Sequence, residues 1–256
     1  MDNIVKNKLF LVAGAGGLLG SKLVPALLCQ NAKVIAADIN LNEMTERLKK
    51  TNTDINNPNL IFSELDITNE KSVKNLFSQF QQLDGAINTT YPRNKNYGQH
   101  FFNVTLDSFN ENLSLHLGSA FLFTQQCALY FENTKRPFSL VNISSIYGII
   151  APKFDIYNNT TMTMPVEYAA IKSAILHLNK YVVSYVNDSR FRINCVSPGG
   201  IFDHQPESFL KAYKENTHGA GMLEVDEIIG SILFLLSDKS RYITGQNIIV
   251  DDGFSL

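Results

Sequence analysis

The sequence predicts an α/β protein: a doubly wound, mostly parallel seven-stranded sheet with helices on both faces. Three observations carry this. Short β-rich runs alternate with longer helical patterns along the whole chain. The short runs are apolar on both faces, as strands covered by helices on both sides must be. No repeat, low-complexity tract or linker interrupts the alternation, which closes a parallel sheet through right-handed crossovers. The strand candidates are "LFLVAGA", "KVIAADI", "NLIFSELDI", "GAINTT", "SLVNIS", "FRINCVS" and "NIIVDD". Helical stretches between them include "LLGSKLVPALLCQN", "NEKSVKNLFSQFQQ", the run from Leu106 to Asn133 and one at about 165–187.

The bulk numbers agree with one domain over residues 1–256. A chain of this length with 45% hydrophobic and 18% charged residues can bury a sizeable core. A net charge of −2 gives no reason to expect nucleic acid or an anionic membrane surface as partner. Cys29, Cys127 and Cys195 are odd in number and far apart, which fits a reducing compartment rather than a disulfide framework. The N-terminal apolar run stops at glycines before reaching membrane-spanning length, so the expected location is cytoplasmic.

Ligands of doubly wound sheets bind beyond the carboxyl ends of the strands, so those ends are read in order. After the first strand comes "AGAGGLLG". Gly14 permits a tight turn, Gly16 and Gly17 let a pyrophosphate approach the backbone, and Gly20 allows close helix packing. The following helix turns its free N–H groups and positive dipole end to the phosphates. Asp38 ends the second strand eighteen positions beyond Gly20, where an acid hydrogen-bonds the adenosine ribose hydroxyls and repels a 2′-phosphate. The following "INLN" offers no cation, so NAD is favoured over NADP. Asp66 ends the third strand, facing the adenine, and Asn88 ends the fourth, beneath the cofactor's other half.

The fifth strand runs into "NISSIYG", and the next helix carries "YAAIK". Tyr168 and Lys172 are four apart and share a helix face. An ammonium beside a phenol favours phenolate, as an acid working near neutral pH requires. The stripe Ile171, Ile175, Leu178, Val182 and Tyr185 on that helix is core or subunit interface. The sixth strand runs into "SPGGIFD", another backbone-exposing turn at the same edge. The five histidines form no metal-ligand spacing, so no metal is expected, and there is no G-x-S-x-G elbow.

Together, the glycine turn, "LDIT", "INTT", "NISS", "YAAIK", "NCVSPGG" and "ITGQNIIVDDG" resemble the short-chain dehydrogenase/reductase family, over nearly the whole chain. The resemblance implies a Rossmann fold in which a Ser–Tyr–Lys group exchanges hydride between NAD(P) and a carbonyl or alcohol. By position, Tyr168 is the acid/base, Lys172 its neighbouring cation and nicotinamide-ribose ligand, and Ser145 the holder of the substrate oxygen. The cofactor would lie along Gly14, Gly16, Gly17, Leu18, Leu19, Gly20, Asp38, Asp66, Ile67, Asn88, Tyr168, Lys172, Pro198, Gly199 and Ile201. The family also implies a homodimer or homotetramer built on the two long helices.

Several positions depart from the family pattern. Ala13 stands where a threonine is usual, and Gly14, Gly17 and Gly20 have a spacing more like the sugar-nucleotide branch. "NTTY" replaces "NNAG", so Tyr91 occupies a glycine position. His116 falls where a fourth catalytic residue, an asparagine, is expected; Asn112 lies one helical turn away. The segment between Ser145 and Tyr168 is lengthened by "APKFDIYNNTTMTMPV". That insertion, "TTYPRNKNYG" and "SPGGIFD" resemble a narrower group, oxidoreductases similar to flagellin modification protein A, in pathways making sugars for surface glycans.

Substrate loops are expected at about 91–104, 146–166 and 200–222. Arg93 and Lys95 between Tyr91 and Tyr97, with Asp155, Tyr157, Asn158 and Asn159 from the insertion, suit an anionic, hydroxyl-rich, sugar-like substrate. The leading expectation is therefore an NAD-dependent alcohol/ketone oxidoreductase. An NAD-retaining sugar epimerase or dehydratase and a non-catalytic NAD-binding protein remain as alternatives.

Overall fold

The first strand, β1 (Leu9–Ala13), shows how the core is divided. Its side chains alternate between faces, so Phe10 and Val12 join one apolar layer and Leu11 and Ala13 the other. The computed structural model describes residues 3–256. After β1 come α1 (Gly20–Cys29), β2 (Lys33–Asp38), α2 (Leu41–Lys50), β3 (Leu60–Glu64), α3 (Glu70–Ser78) and β4 (Gly85–Asn88). Then follow α4 (Leu106–Asn112), α5 (Ser119–Thr134), β5 (Phe138–Ile143), α6 (Val166–Val186), β6 (Phe191–Pro198), α7 (Glu207–Lys214), α8 (Asp226–Leu236) and β7 (Asn247–Val250). All seven expected strands form; α2, α7 and α8 are helices that no motif had singled out.

The strands form one sheet in the order β3-β2-β1-β4-β5-β6-β7, and every pairing is parallel. The chain leaves β1 toward β2 and β3, then returns to β4 on the other side, which puts the topological switch between β1 and β4. Thr89, just past β4, bridges that switch by donating its hydroxyl to the Ala13 and Gly14 carbonyls at 2.8 and 3.1 Å. One apolar layer packs α1 and α8 on the sheet, and the other packs α3 and α5.

Helix ends follow local chemistry. Asn40, Asn69 and Thr105 accept first-turn N–H groups of α2, α3 and α4. Buried Arg192 donates to the Leu235, Ser237 and Ser240 carbonyls just at and beyond the end of α8, satisfying orphan acceptors there. The expected long helix over 106–133 is continuous but not uniform. Residues Leu113–Gly118 between α4 and α5 are π-helical, and this widened turn carries His116.

Candidate active site

The glycine turn closes tightly on itself. Gly14 has φ of 82°, and a Cβ on Gly20 would lie 2.1 Å from the Gly14 carbonyl, so α1 begins against that backbone only because position 20 lacks a side chain. No side chain caps α1 and its first turn holds no acid. Its positive end therefore faces a cavity of about 910 Å³ that begins at Gly14, Gly16, Gly17, Leu18 and Leu19. A Cβ on Gly16 would fill this cradle, meeting Met44 and the Asp38 carboxylate at 3.0–3.1 Å. These residues fit a pyrophosphate.

Asp38 also lines this end, where its carboxylate accepts the Gly16 N–H at 2.8 Å and the Ile39 N–H at 2.8 Å. Asp66 and Ile67 line the same wall, and Asp66 accepts from the Thr68 N–H and hydroxyl. Arg47 from α2 joins them. No cation follows Asp38 directly in "INLN"; this guanidinium, nine residues on, reaches the cavity only through the packing of α2. Asn88 is buried and does not line the cavity; its side chain accepts from the Thr90 N–H and hydroxyl and shapes the turn after β4.

The cavity's other end gathers Ser145, Tyr168 and Lys172, with Pro198, Gly199 and Ile201 alongside. Burial raises the pKa of Tyr168, and a hydrogen bond from Ser145 pulls it the other way. Burial pushes Lys172 down to about 8, so its amine is mostly ammonium at pH 7. Lys172 Nζ donates to the Ile143 carbonyl at 2.9 Å and lies 5.4 Å from the centre of the Tyr168 ring. The cation is in range of the phenol, yet in the chain alone burial is the largest influence and holds Tyr168 above the ordinary tyrosine value.

His116 lies behind this group rather than on the cavity wall. It is 3% exposed, its Nε2 is 3.5 Å from Lys172 Nζ, and Nδ1 has no partner. Burial and the Lys172 charge push it down to about 2, so the ring is neutral. Asn112 does not reach Lys172. It exchanges hydrogen bonds with Asn94 and donates to buried Glu167, tying the loop after β4 to α6.

Of the substrate candidates, Tyr91, Arg93 and Tyr157 line the cavity, whereas Lys95 and Asp155 are exposed and do not. Asn158 and Asn159 are exposed as well. Tyr157 turns inward because it packs with Tyr147, Phe209, Tyr213 and Phe254 in an apolar cluster that sequence periodicity could not reveal. Phe254 is fully buried there. It stacks on Tyr213 with ring centres 4.4 Å apart, and its carbonyl accepts from Lys153 Nζ at 2.8 Å. The neighbouring Asp252 carboxylate accepts the Gly219 and Gly221 N–H groups, both at 3.0 Å. Residues 251–255 thus join two of the loops around the cavity.

The model of the family described as Enoyl-(Acyl carrier protein) reductase matches residues 14–255. A post-translational flagellin modification protein A from Campylobacter coli is 34% identical, the alignment covering 99% of this chain and 100% of the relative. A 7alpha-hydroxysteroid dehydrogenase from Bacteroides fragilis is 26% identical over 99% and 96% of the two chains. The crystal structure of a short chain dehydrogenase from Leptospira borgpetersenii with bound NAD+ superposes with a TM-score of 0.84 at 30% identity, covering 99% of this chain and 95% of the other. With the all-parallel sheet and the site at its switch point, these likenesses fix the lineage: the chain belongs to the short-chain dehydrogenase/reductase family of oxidoreductases.

Proposed function

We propose that this protein transfers a hydride between NAD and a carbonyl or secondary alcohol of a polar, anionic, sugar-like substrate, using Ser145, Tyr168 and Lys172. The supporting observation is the convergence of these three side chains at one end of a cavity whose other end is the glycine cradle. Bound along that cavity, the nicotinamide supplies or accepts the hydride. Tyr168 gives its phenolic proton to the substrate oxygen in reduction and takes one in oxidation. The Ser145 hydroxyl donates to the same oxygen, where charge develops. Lys172 stabilises the phenolate with its charge and holds the nicotinamide ribose.

NAD is favoured over NADP because the Asp38 carboxylate lies at the ribose end, where a 2′-phosphate would meet a like charge. Arg47 is exposed and on the same wall, so the acid faces a competing cation. We expect kcat/KM to favour NAD+ over NADP+, and Asp38→Ala to narrow the gap. A parent enzyme that prefers NADP+ sinks the assignment. The substrate is sought with sugar phosphates and nucleotide sugars plus NAD+, followed at the NADH absorbance; turnover without net NADH points instead to an epimerase or dehydratase.

The anionic group is assigned to Arg93, whose guanidinium lies 4.9 Å from the centre of the Tyr91 ring at the cavity wall. Met162, Met164, Met222 and Phe209 line the far wall and offer contact to the C–H face of a sugar ring. The flagellin modification relative, named for a protein modification, fits a glycan precursor as substrate. Arg93→Ala is expected to cost about 1.5–3 kcal/mol in kcat/KM on a phosphorylated sugar and little on its unphosphorylated match. Equal losses on both exclude phosphate recognition by Arg93.

We also assign this chain a homodimer or homotetramer. α5 and α6 leave Phe121, Leu129, Tyr181 and Tyr185 exposed, an apolar surface suited to a second copy. Among the described residues no helix is long and apolar enough to cross a membrane.

A further inference from the structure

Lys172 is enclosed on a side where its own helix supplies nothing. The ring of Tyr91, from the loop after β4, lies 5.7 Å from Lys172 Nζ, and its centre is 5.0 Å from the His116 ring and 5.7 Å from the Tyr168 ring, edge-on to both. Two further contacts fix that ring. Its hydroxyl is hydrogen-bonded to the hydroxyl of Tyr97, and the Arg93 guanidinium stacks on its face. The loop itself is anchored, since Asn94 is bound by Asn112, which in turn bonds Glu167 beside Tyr168.

We propose that Tyr91 is a positioning residue: its ring, pinned by Tyr97 and Arg93, roofs the Lys172–His116 pair and keeps Lys172 Nζ on the Ile143 carbonyl beside Tyr168. Without the roof, water reaches the ammonium from the loop side, and the flexible lysine stem has no wall to hold it. The neighbouring His116 is no substitute for the wall, because its Nε2 makes only a long, 3.5 Å contact with Lys172 Nζ. A glycine, the residue usual at this place in the family pattern, would leave the space open. The inference rests on the role proposed for Lys172.

The titratable groups around Lys172 come from four elements. They are Tyr91 on the loop, His116 on the π-helical turn, Tyr168 on α6 itself and buried Cys195 on β6. Burial is the leading cause of the depressed lysine value, so letting water in moves its titration upward. Loss of the ring face acts in the opposite direction and is the smaller effect.

The test is competitive acetylation of the full chain with acetic anhydride across alkaline pH, reading Lys172 by peptide mass spectrometry. It yields a titration midpoint and a limiting rate for that amine, with no nicotinamide or substrate present. In the parent, the midpoint is expected near 8, with slow labelling. In Tyr91→Gly the limiting rate should rise on the order of tenfold and the midpoint by about one pH unit. Tyr97→Phe deletes only the hydroxyl that pins the roof and keeps the fold, so it carries the test if the glycine variant unfolds; its limiting rate should exceed the parent's. A parent-like midpoint and rate in folded Tyr91→Gly, or a parent-like rate in Tyr97→Phe, overturns the proposal. Because labelling needs no turnover, its outcome stands apart from that of the proposed reaction, which Tyr168→Phe tests.

Discussion

Tyr168→Phe is expected to lower turnover by about 10²–10⁴-fold, the range for losing a positioned general acid/base, while NADH affinity stays near the parent value. The phenylalanine ring keeps the packing against Tyr91, and the change removes only the hydroxyl hydrogen-bonded to Ser145. The loss should therefore appear in kcat rather than in KM or in the nicotinamide dissociation constant. Near-parent kcat in the variant removes Tyr168 from the proton-transfer step.

Lys172→Met is expected to separate stability from activity. Lys172 is 5% exposed, and its folded pKa of about 8 lies below the ordinary 10.5. Below pH 8 both folded and unfolded chains hold the ammonium, and burying it costs the full difference, about 3 kcal/mol at 1.36 kcal/mol per unit. Between pH 8 and 10.5 the folded chain has released the proton that the unfolded chain retains, so the cost shrinks; above 10.5 it is gone. Removing the amine strands the Ile143 carbonyl, at about 1–3 kcal/mol. The expected net at pH 7 is a variant about as stable as the parent or up to about 2 kcal/mol more stable, although turnover falls at least about 100-fold. Urea unfolding at pH 7 and pH 10.5 reads the linkage: the parent should gain stability relative to the variant as pH rises. A pH-independent difference between the two contradicts the buried-ammonium account.

The seven strands were legible because doubly covered strands read as continuous apolar runs, and local rules locate the glycine turn and the Tyr168–Lys172 pair. What escaped is what packing alone decides. "LSLHLG" has the composition of ordinary helix, and only the fold makes it a widened turn that puts His116 against Lys172. Arg93, Lys95 and Asp155 look alike on paper as loop charges, yet only Arg93 lines the cavity, because stacking on Tyr91 draws it in. Asn112, one helical turn before His116, carries the amide expected at position 116, but its hydrogen bonds go to Asn94 and Glu167. Arg47 reached the cavity from a helix that no motif marked.

The clamp made by residues 251–255 bears on the order in which the protein can be completed during synthesis. The glycine turn is framed by β1, β2 and β4 from the first third of the chain, although the apolar face of α1 is covered only when α8 arrives. The opposite wall of the cavity comes later still, since Lys153 waits for Phe254, 101 residues further on, and the loop at 219–221 waits for Asp252. Contacts that distant in sequence form late, because the loop-closure entropy must be met before they contribute. A nascent or C-terminally clipped chain would then have the glycine turn and its neighbouring strands in place while the opposite wall of the cavity stood open and α1 uncovered.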